Sequence, residues 1–223
     1  VCFHWNEDGV DHLDDLYQAI SPDEFYAAIK AGAMPTTSQP GVGEFVELWE
    51  PIVASGSDVL HVSLSSGLSG AFEAASIAAR QVMDAHPDRR VLVVDSLGAS
   101  SGYGMLVEYL ADKRDEGATL DEAYDWAMSH RLNVHHWFFS TDLTSYVRGG
   151  RVSRVSGFVG TALKICPVLN MNSEGKLIPR DKIRTKAKAA RDMVRRMEEH
   201  ADGGHAYAGK CMLSMSACRS DAE

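Results

Sequence analysis

Two short apolar runs, 58–64 and 90–95, each end in a hydroxyl-rich loop that leads into a helical pattern. The second, Val91-Leu92-Val93-Val94, is the near-continuous apolar type found in parallel sheets. Residues 69–85 between them read as a helix whose small alanines allow close packing on a sheet. Strands alternating with helices point to an α/β fold with a mostly parallel sheet. In such sheets ligands bind beyond the carboxyl ends of the strands. The hydroxyl clusters at 65–69, 96–101 and 140–145 fall at those ends, with 136–140 read as the third strand.

The remaining elements follow from local signals. Ser21-Pro22-Asp23-Glu24 is a capping box with proline at the first helical position, and Gly32 stops that helix. Prolines hold the segment Pro35-Thr36-Thr37-Ser38-Gln39-Pro40 extended. Residues 43–54 read as a helix burying Phe45, Val46, Leu48, Trp49 and Ile52. Helices are also predicted after Ser101, carrying Met105, Leu106, Tyr109 and Leu110, and over 120–130. Beyond Thr141 we predict a short helical turn over 142–147 and a small-residue helix over 157–162. Two strands should flank the turn Asn172-Ser173-Glu174-Gly175. A basic helix carrying Arg184, Lys186, Lys188, Arg191, Arg195 and Arg196 and a strand over 210–215 complete the pattern. The expected division is a first lobe over 1–140 and a second over 141–223.

Composition narrows the function. The 223 residues carry a net charge of -9, which argues against non-specific nucleic-acid binding. No apolar run approaches a membrane span, so no membrane insertion is expected. Cys2, Cys166, Cys211 and Cys218 form no C-x-x-C pair, which disfavours zinc and redox motifs and predicts reduced thiols in a cytoplasmic protein. The glycines Gly98, Gly102 and Gly104 do not match a dinucleotide fingerprint, and no P-loop is present. His135 and His136 open a strand and face opposite sides, a poor arrangement for a shared metal.

What the chain does offer is hydroxyls at helix entries. Thr36, Thr37 and Ser38 precede one helix, and Ser65-Ser66-Gly67-Leu68-Ser69-Gly70 precedes another. A helix start presents unpaired N–H groups and positive potential, which suit a carboxylate or phosphate. Each cluster also fits a plain cap-and-turn role. Asp95-Ser96, at a strand end, serves equally as a ligand contact or a loop cap. Ser69 sits in Gly67-Leu68-Ser69-Gly70-Ala71, close to a nucleophile elbow. A serine esterase would then need Asp142 with His200 or His205, neither of which looks held in a dry cleft. Gly149-Gly150-Arg151 places an arginine, suited to carboxylate or phosphate, on a turn. The basic helix reads as a solvated face or as a docking patch for an acidic or phosphate-bearing partner.

Taken in order, these segments resemble the DegV family of bacterial lipid-binding proteins. The matching residues include Phe25-Tyr26, Pro35-Thr36-Thr37-Ser38-Gln39-Pro40 with Gly43-Glu44-Phe45, and Leu64-Ser65-Ser66-Gly67-Leu68-Ser69-Gly70. They continue through Val94-Asp95-Ser96, Gly149-Gly150-Arg151-Val152, Leu163-Lys164-Ile165-Cys166-Pro167-Val168-Leu169 and Lys182-Ile183-Arg184-Thr185-Lys186. The resemblance implies a two-lobed α/β protein that binds a long-chain fatty acid between its lobes, with no other cofactor. It implies that Thr36 or Thr37 and Ser66 or Ser69 hold the carboxylate, Thr37 with Ser69 being favoured. Ser38, Gly67 and Ser96 complete the polar mouth. Some members carry the acyl group for a fatty acid kinase whose ATP-binding subunit phosphorylates it, making this chain a carrier and no catalyst. Arg151 and Arg184 match the basic positions that assist there. The resemblance also implies a first strand before Val1, and C-terminal strands with a late histidine after Glu223.

Overall fold

The computed structural model describes residues 4–7, 9–13, 18–33, 35–152 and 165–214. The elements in chain order are β1 (His4–Glu7), β2 (Val10–Leu13), α1 (Pro22–Ala31), β3 (Thr36–Ser38), α2 (Val42–Ala54), β4 (Val59–Ser63) and α3 (Ala71–Ala85). There follow β5 (Val91–Asp95), α4 (Ser100–Asp115), α5 (Leu120–His130), β6 (Trp137–Phe139), α6 (Thr144–Arg148), β7 (Ile165–Met171), β8 (Leu177–Arg184) and α7 (Lys186–His200). The chain divides into two units whose segments interleave along the sequence. One takes 1–61, 69–93 and 213–223; the other takes 62–68 and 94–212. The mixed α/β class read from the sequence is the class observed.

In the first unit, β3 is an edge strand of the antiparallel sheet β2-β1-β3, with Thr37 opposite Trp5. Helix α1 opens with the predicted capping box: the Ser21 Oγ accepts the Glu24 N–H at 3.3 Å, and the Glu24 carboxylate accepts the Ser21 N–H at 3.0 Å. Gly32 closes it at φ 109°, a left-handed conformation that glycine adopts without a Cβ penalty.

The core of this unit lies between α2 and α3. Phe45, Trp49 and Val53, spaced four apart, form the buried stripe of α2. Facing them are Ala74, Ala75, Ala78, Ala79 and Val82 of α3. The alanines let the large rings of α2 approach the α3 backbone. Two sequence expectations are corrected here: Leu48 is 42% exposed and Ile52 37% exposed. The buried stripe is a narrow i, i+4, i+8 row, and these two lie to one side of it. His61 of β4 packs edge-on against both Phe45 and Trp49, with centroids 5.3 Å away. Burial pushes its pKa down to about 4.

β4 and β5 run parallel: the Val59 N–H bonds the Arg90 carbonyl at 2.9 Å, and the Ser96 N–H bonds the Ser63 carbonyl at 3.3 Å. The expected third strand, β6, exists but joins a different sheet. It pairs antiparallel with β7, Phe138 opposite Leu169, in the order β6-β7-β8. Its partner comes from far along the chain, a pairing no local pattern announces. β8 runs on to Arg184, so Arg184 belongs to that strand and not to the basic helix. The helix expected over 157–162 lies outside the described residues.

Helix α7 packs on this sheet through side chains. The Arg196 guanidinium stacks on Trp137, 4.4 Å from its centroid, and pairs with Asp192 at 2.6 Å and with Asp181. His200 stacks on His135 and Trp137 at 4.8 and 5.5 Å. Arg195 pairs with Asp192 and Glu199. Much of the basic helix is therefore internally compensated. The predicted strand over 210–215 is absent from its described part, 210–214. Lys210 there binds Asp112 at 2.6 Å, and its N–H bonds the Tyr109 hydroxyl at 3.0 Å. Cys166 is buried and Cys211 exposed, with Cys211 Sγ 3.4 Å from Met197 Sδ.

The neighbours Leu48 and Trp49 make a direct test of this packing. Trp49→Ala should cost about 3–5 kcal/mol by urea denaturation, and Leu48→Ala less than about 1 kcal/mol. Acid provides a second test. A histidine at about 6.5 when unfolded and about 4 when folded binds its proton only in the unfolded chain between those values. Its contribution is therefore complete above pH 6.5 and lost as pH falls toward 4. The thermal midpoint should drop between pH 7 and pH 5, and His61→Phe should flatten that drop.

Candidate functional site

The segment after β3 and the start of α3 meet within the first unit. The Gln39 carboxamide fills the space beside Gly70: a Cβ added there would lie 2.5 Å from Gln39 Oε1. So the T-T-S-Q-P segment meets the Ser69-Gly70 end of the second motif through two residues that the sequence reading did not single out. The only advance signal was their place inside those motifs. Thr36, Thr37 and Ser38 are all exposed on the edge strand, Thr37 on the face opposite the other two.

The serines of the second segment have different duties. Ser65 is fully buried; its hydroxyl donates to the Gly175 carbonyl at 2.7 Å and accepts the Gly67 N–H at 3.1 Å. Ser66 donates its hydroxyl to Asp95 Oδ2 at 2.5 Å and its N–H to Asp95 Oδ1 at 3.1 Å. Ser69 does the reverse. Its Oγ accepts the Ala71 N–H at 3.2 Å in the first turn of α3, a contact that does not use the hydroxyl proton. Gly67 is obligatory, since a Cβ there would sit 2.6 Å from the Gly175 carbonyl oxygen. Gly175 has no room either, because its Cβ would collide with the Ser65 hydroxyl. The tip of the β7–β8 hairpin thus seats directly against this loop.

Ser96 is buried, with its hydroxyl closed on Gly98: it accepts that residue's N–H at 3.1 Å and donates to its carbonyl at 3.3 Å. The Gly98 carbonyl in turn accepts the Ser65 N–H at 3.0 Å, so the two strand-end loops are knitted together. His136, just before β6, packs against the same loop, hydrogen-bonded to the Ala99 backbone, where a Cβ at Gly102 would overlap its ring. Burial holds it near a pKa of about 4. His135 faces the other way, onto His200, as the strand alternation predicted.

Arg151 is brought to the loop: its Nε donates to the Leu68 carbonyl at 3.2 Å and its guanidinium also bonds the Gly149 carbonyl. Arg184 is not. It ends β8, while Gly175 at the hairpin tip precedes that strand, and the eight residues of β8 span roughly 25 Å. The second unit also holds a cavity of about 290 Å³ lined by Thr141, Ile165, Cys166, Thr185 and Lys186. The groups a serine esterase would call on have local partners. The Asp142 carboxylate accepts the Thr144 N–H and hydroxyl at 3.0 and 2.7 Å, His200 is stacked, and His205 is 86% exposed beside Glu198. Among the described residues no His, Cys, Asp and Glu cluster is arranged to hold a metal ion, and no helix is long and apolar enough to cross a membrane.

Comparison with known proteins agrees with these motifs. A family model described as "Uncharacterised protein, DegV family" matches residues 8–217. A DegV domain-containing protein of Clostridium perfringens is 31% identical over 194 residues, covering 87% of this chain and 67% of that protein. A solved DegV family protein of Thermus thermophilus, described as fatty-acid binding, superposes with a TM-score of 0.79 at 30% identity, over 91% of this chain and 70% of the other. The Fatty Acid Kinase B3 protein of Streptococcus pneumoniae, solved with linoleic acid, shares the fold with a TM-score of 0.79 at 22% identity, covering 89% and 69%. This chain thus spans about two thirds of the length of these proteins. With the family's model matched across almost the whole sequence, the chain belongs to the DegV family.

Proposed function

We propose that this chain binds a long-chain fatty acid, its alkyl part in an apolar tunnel and its carboxylate received by the hydroxyls of Thr37 and Ser69. The observation that carries this reading is the polarity of Ser69. The Ala71 N–H occupies an acceptor position of its oxygen, and that contact does not use the hydroxyl proton, which can be donated to an anion at the helix start. Ser66 differs, because its proton is already spent on Asp95. Thr36 and Ser38, on the same exposed edge strand as Thr37, border that group. The fatty-acid binding described for the Thermus relative supports the ligand class.

The energetics fit a carrier. Each buried methylene contributes about 0.8 kcal/mol, so the tail supplies most of the affinity. The hydroxyls need only offset desolvation of the carboxylate. Nothing here requires chemistry at Ser69. On this reading the chain presents the acid to a fatty acid kinase ATP-binding subunit, with Arg151 held beside the loop to meet the phosphoryl group or the partner.

Denaturing extraction and mass spectrometry should recover one acyl chain per protein. Recovery of empty protein that takes up no added oleate would reject the reading. Ser69→Ala removes a hydrogen bond to a charged group, an interaction of about 1.5–3 kcal/mol, and should weaken oleate binding about tenfold or more. A fluorophosphonate probe should leave Ser69 unlabelled, whereas labelling there would favour an esterase.

A further inference from the structure

Asp95 closes β5 as a buried carboxylate, 8% exposed. Its Oδ1 accepts two backbone N–H groups, from Ser66 and Leu97, each at 3.1 Å. Its Oδ2 accepts the Ser66 hydroxyl at 2.5 Å. Arg131 donates to the Asp95 backbone carbonyl at 2.7 Å, which places a cation close to the buried anion. Three donors therefore converge on one carboxylate. Ser66 lies on the loop that follows β4 and Leu97 on the loop that follows β5, so Asp95 ties the ends of two neighbouring strands together.

The residue type matters. An ionised carboxylate has about four lone-pair sites and no proton, so it satisfies all three donors at once. Asparagine can keep its one carbonyl oxygen on the two N–H groups, but its amide then faces the Ser66 hydroxyl, so the charge-assisted bond is lost and the Ser66 proton is released. Hydrogen bonds to a charged acceptor are roughly twice as strong as neutral ones. Asp95 is thus a charged fastener of this loop, which the hairpin tip also holds through Ser65.

We propose that Asp95 is the positioning residue for carboxylate recognition. It fixes the loop that carries Ser69 three residues later and withdraws Ser66 from the donors a ligand can use. This rests on the fatty-acid reading above and adds to it which serine speaks to the ligand and what sets discrimination between an acid and an alcohol. Ser66 works through Asp95 and does not touch the bound acid.

The test compares oleate with oleyl alcohol, which share the tail and differ at the head. Binding is measured on the full chain by displacement of a fluorescent fatty acid. Asp95→Asn should weaken oleate at least tenfold and oleyl alcohol less than threefold. Ser66→Ala should weaken oleate about threefold in the native background and not at all in the Asp95→Asn background, while Ser69→Ala keeps its full effect there. Equal loss of both ligands in Asp95→Asn, or a full additional loss from Ser66→Ala in that background, would overturn the proposal. If Asp95→Asn does not fold, Ser66→Ala decides alone. Faster hydrogen exchange at the Leu97 amide with a smaller oleate loss than Ser69→Ala supports it. An oleate loss equal to that of Ser69→Ala with Leu97 unchanged overturns it. Failure of the fatty-acid reading looks different, since the native protein would then bind neither ligand.

Discussion

The geometry around the loop after β4 depends on satisfying buried polar groups where two parallel strands end together. Where the ladder ends, Ser65, Asp95, Ser96 and Gly98 are buried, so each of their polar groups needs a partner from nearby. Ser65, Ser96 and Gly98 supply those partners for one another, Asp95 supplies them for Ser66 and Leu97, and Arg131 donates to the Asp95 carbonyl. Close approach then demands glycine at 67, 98, 102 and 175, where Cβ atoms would run into a carbonyl, a ring or a hydroxyl. Hydroxyls and glycines are dense in these segments because a dry strand end needs short polar groups and space.

Part of this was legible in the sequence for local reasons. The capping box at Ser21 and Glu24 acts within one turn, and the apolar run at 91–94 needs both faces covered wherever it sits. The amphipathic stripe of α2 was legible in direction but too wide, because Leu48 and Ile52 match the helical period without lying on the row that meets the alanines. Leu120–His130 emerged with the bounds that periodicity predicted.

What the sequence could not show was partnership over distance. β6 has the composition of a parallel-sheet strand, yet its neighbour is β7. Arg184 looked like the first residue of a basic helix, but pairing with Ile165 holds it in β8. Asp95 read as cap or contact with equal force, since nothing in its surroundings along the chain reveals that Ser66 lies above it. Among the hydroxyls, residue type gave no ranking. Direction of donation did, and that depends on the Ala71 N–H in one case and the Asp95 carboxylate in the other.

The turn at Asn172–Gly175 has a further consequence. Hairpin tips are ordinarily where chains accept insertions and proteolytic cuts. This one is joined to Ser65 across 110 positions of sequence. Such a contact costs loop-closure entropy before it returns anything, so it belongs to the later events of folding. The loop after β4 acquires its final shape only when the hairpin arrives. A lengthened tip would leave the protein with all its strands and helices and an unfinished loop after β4.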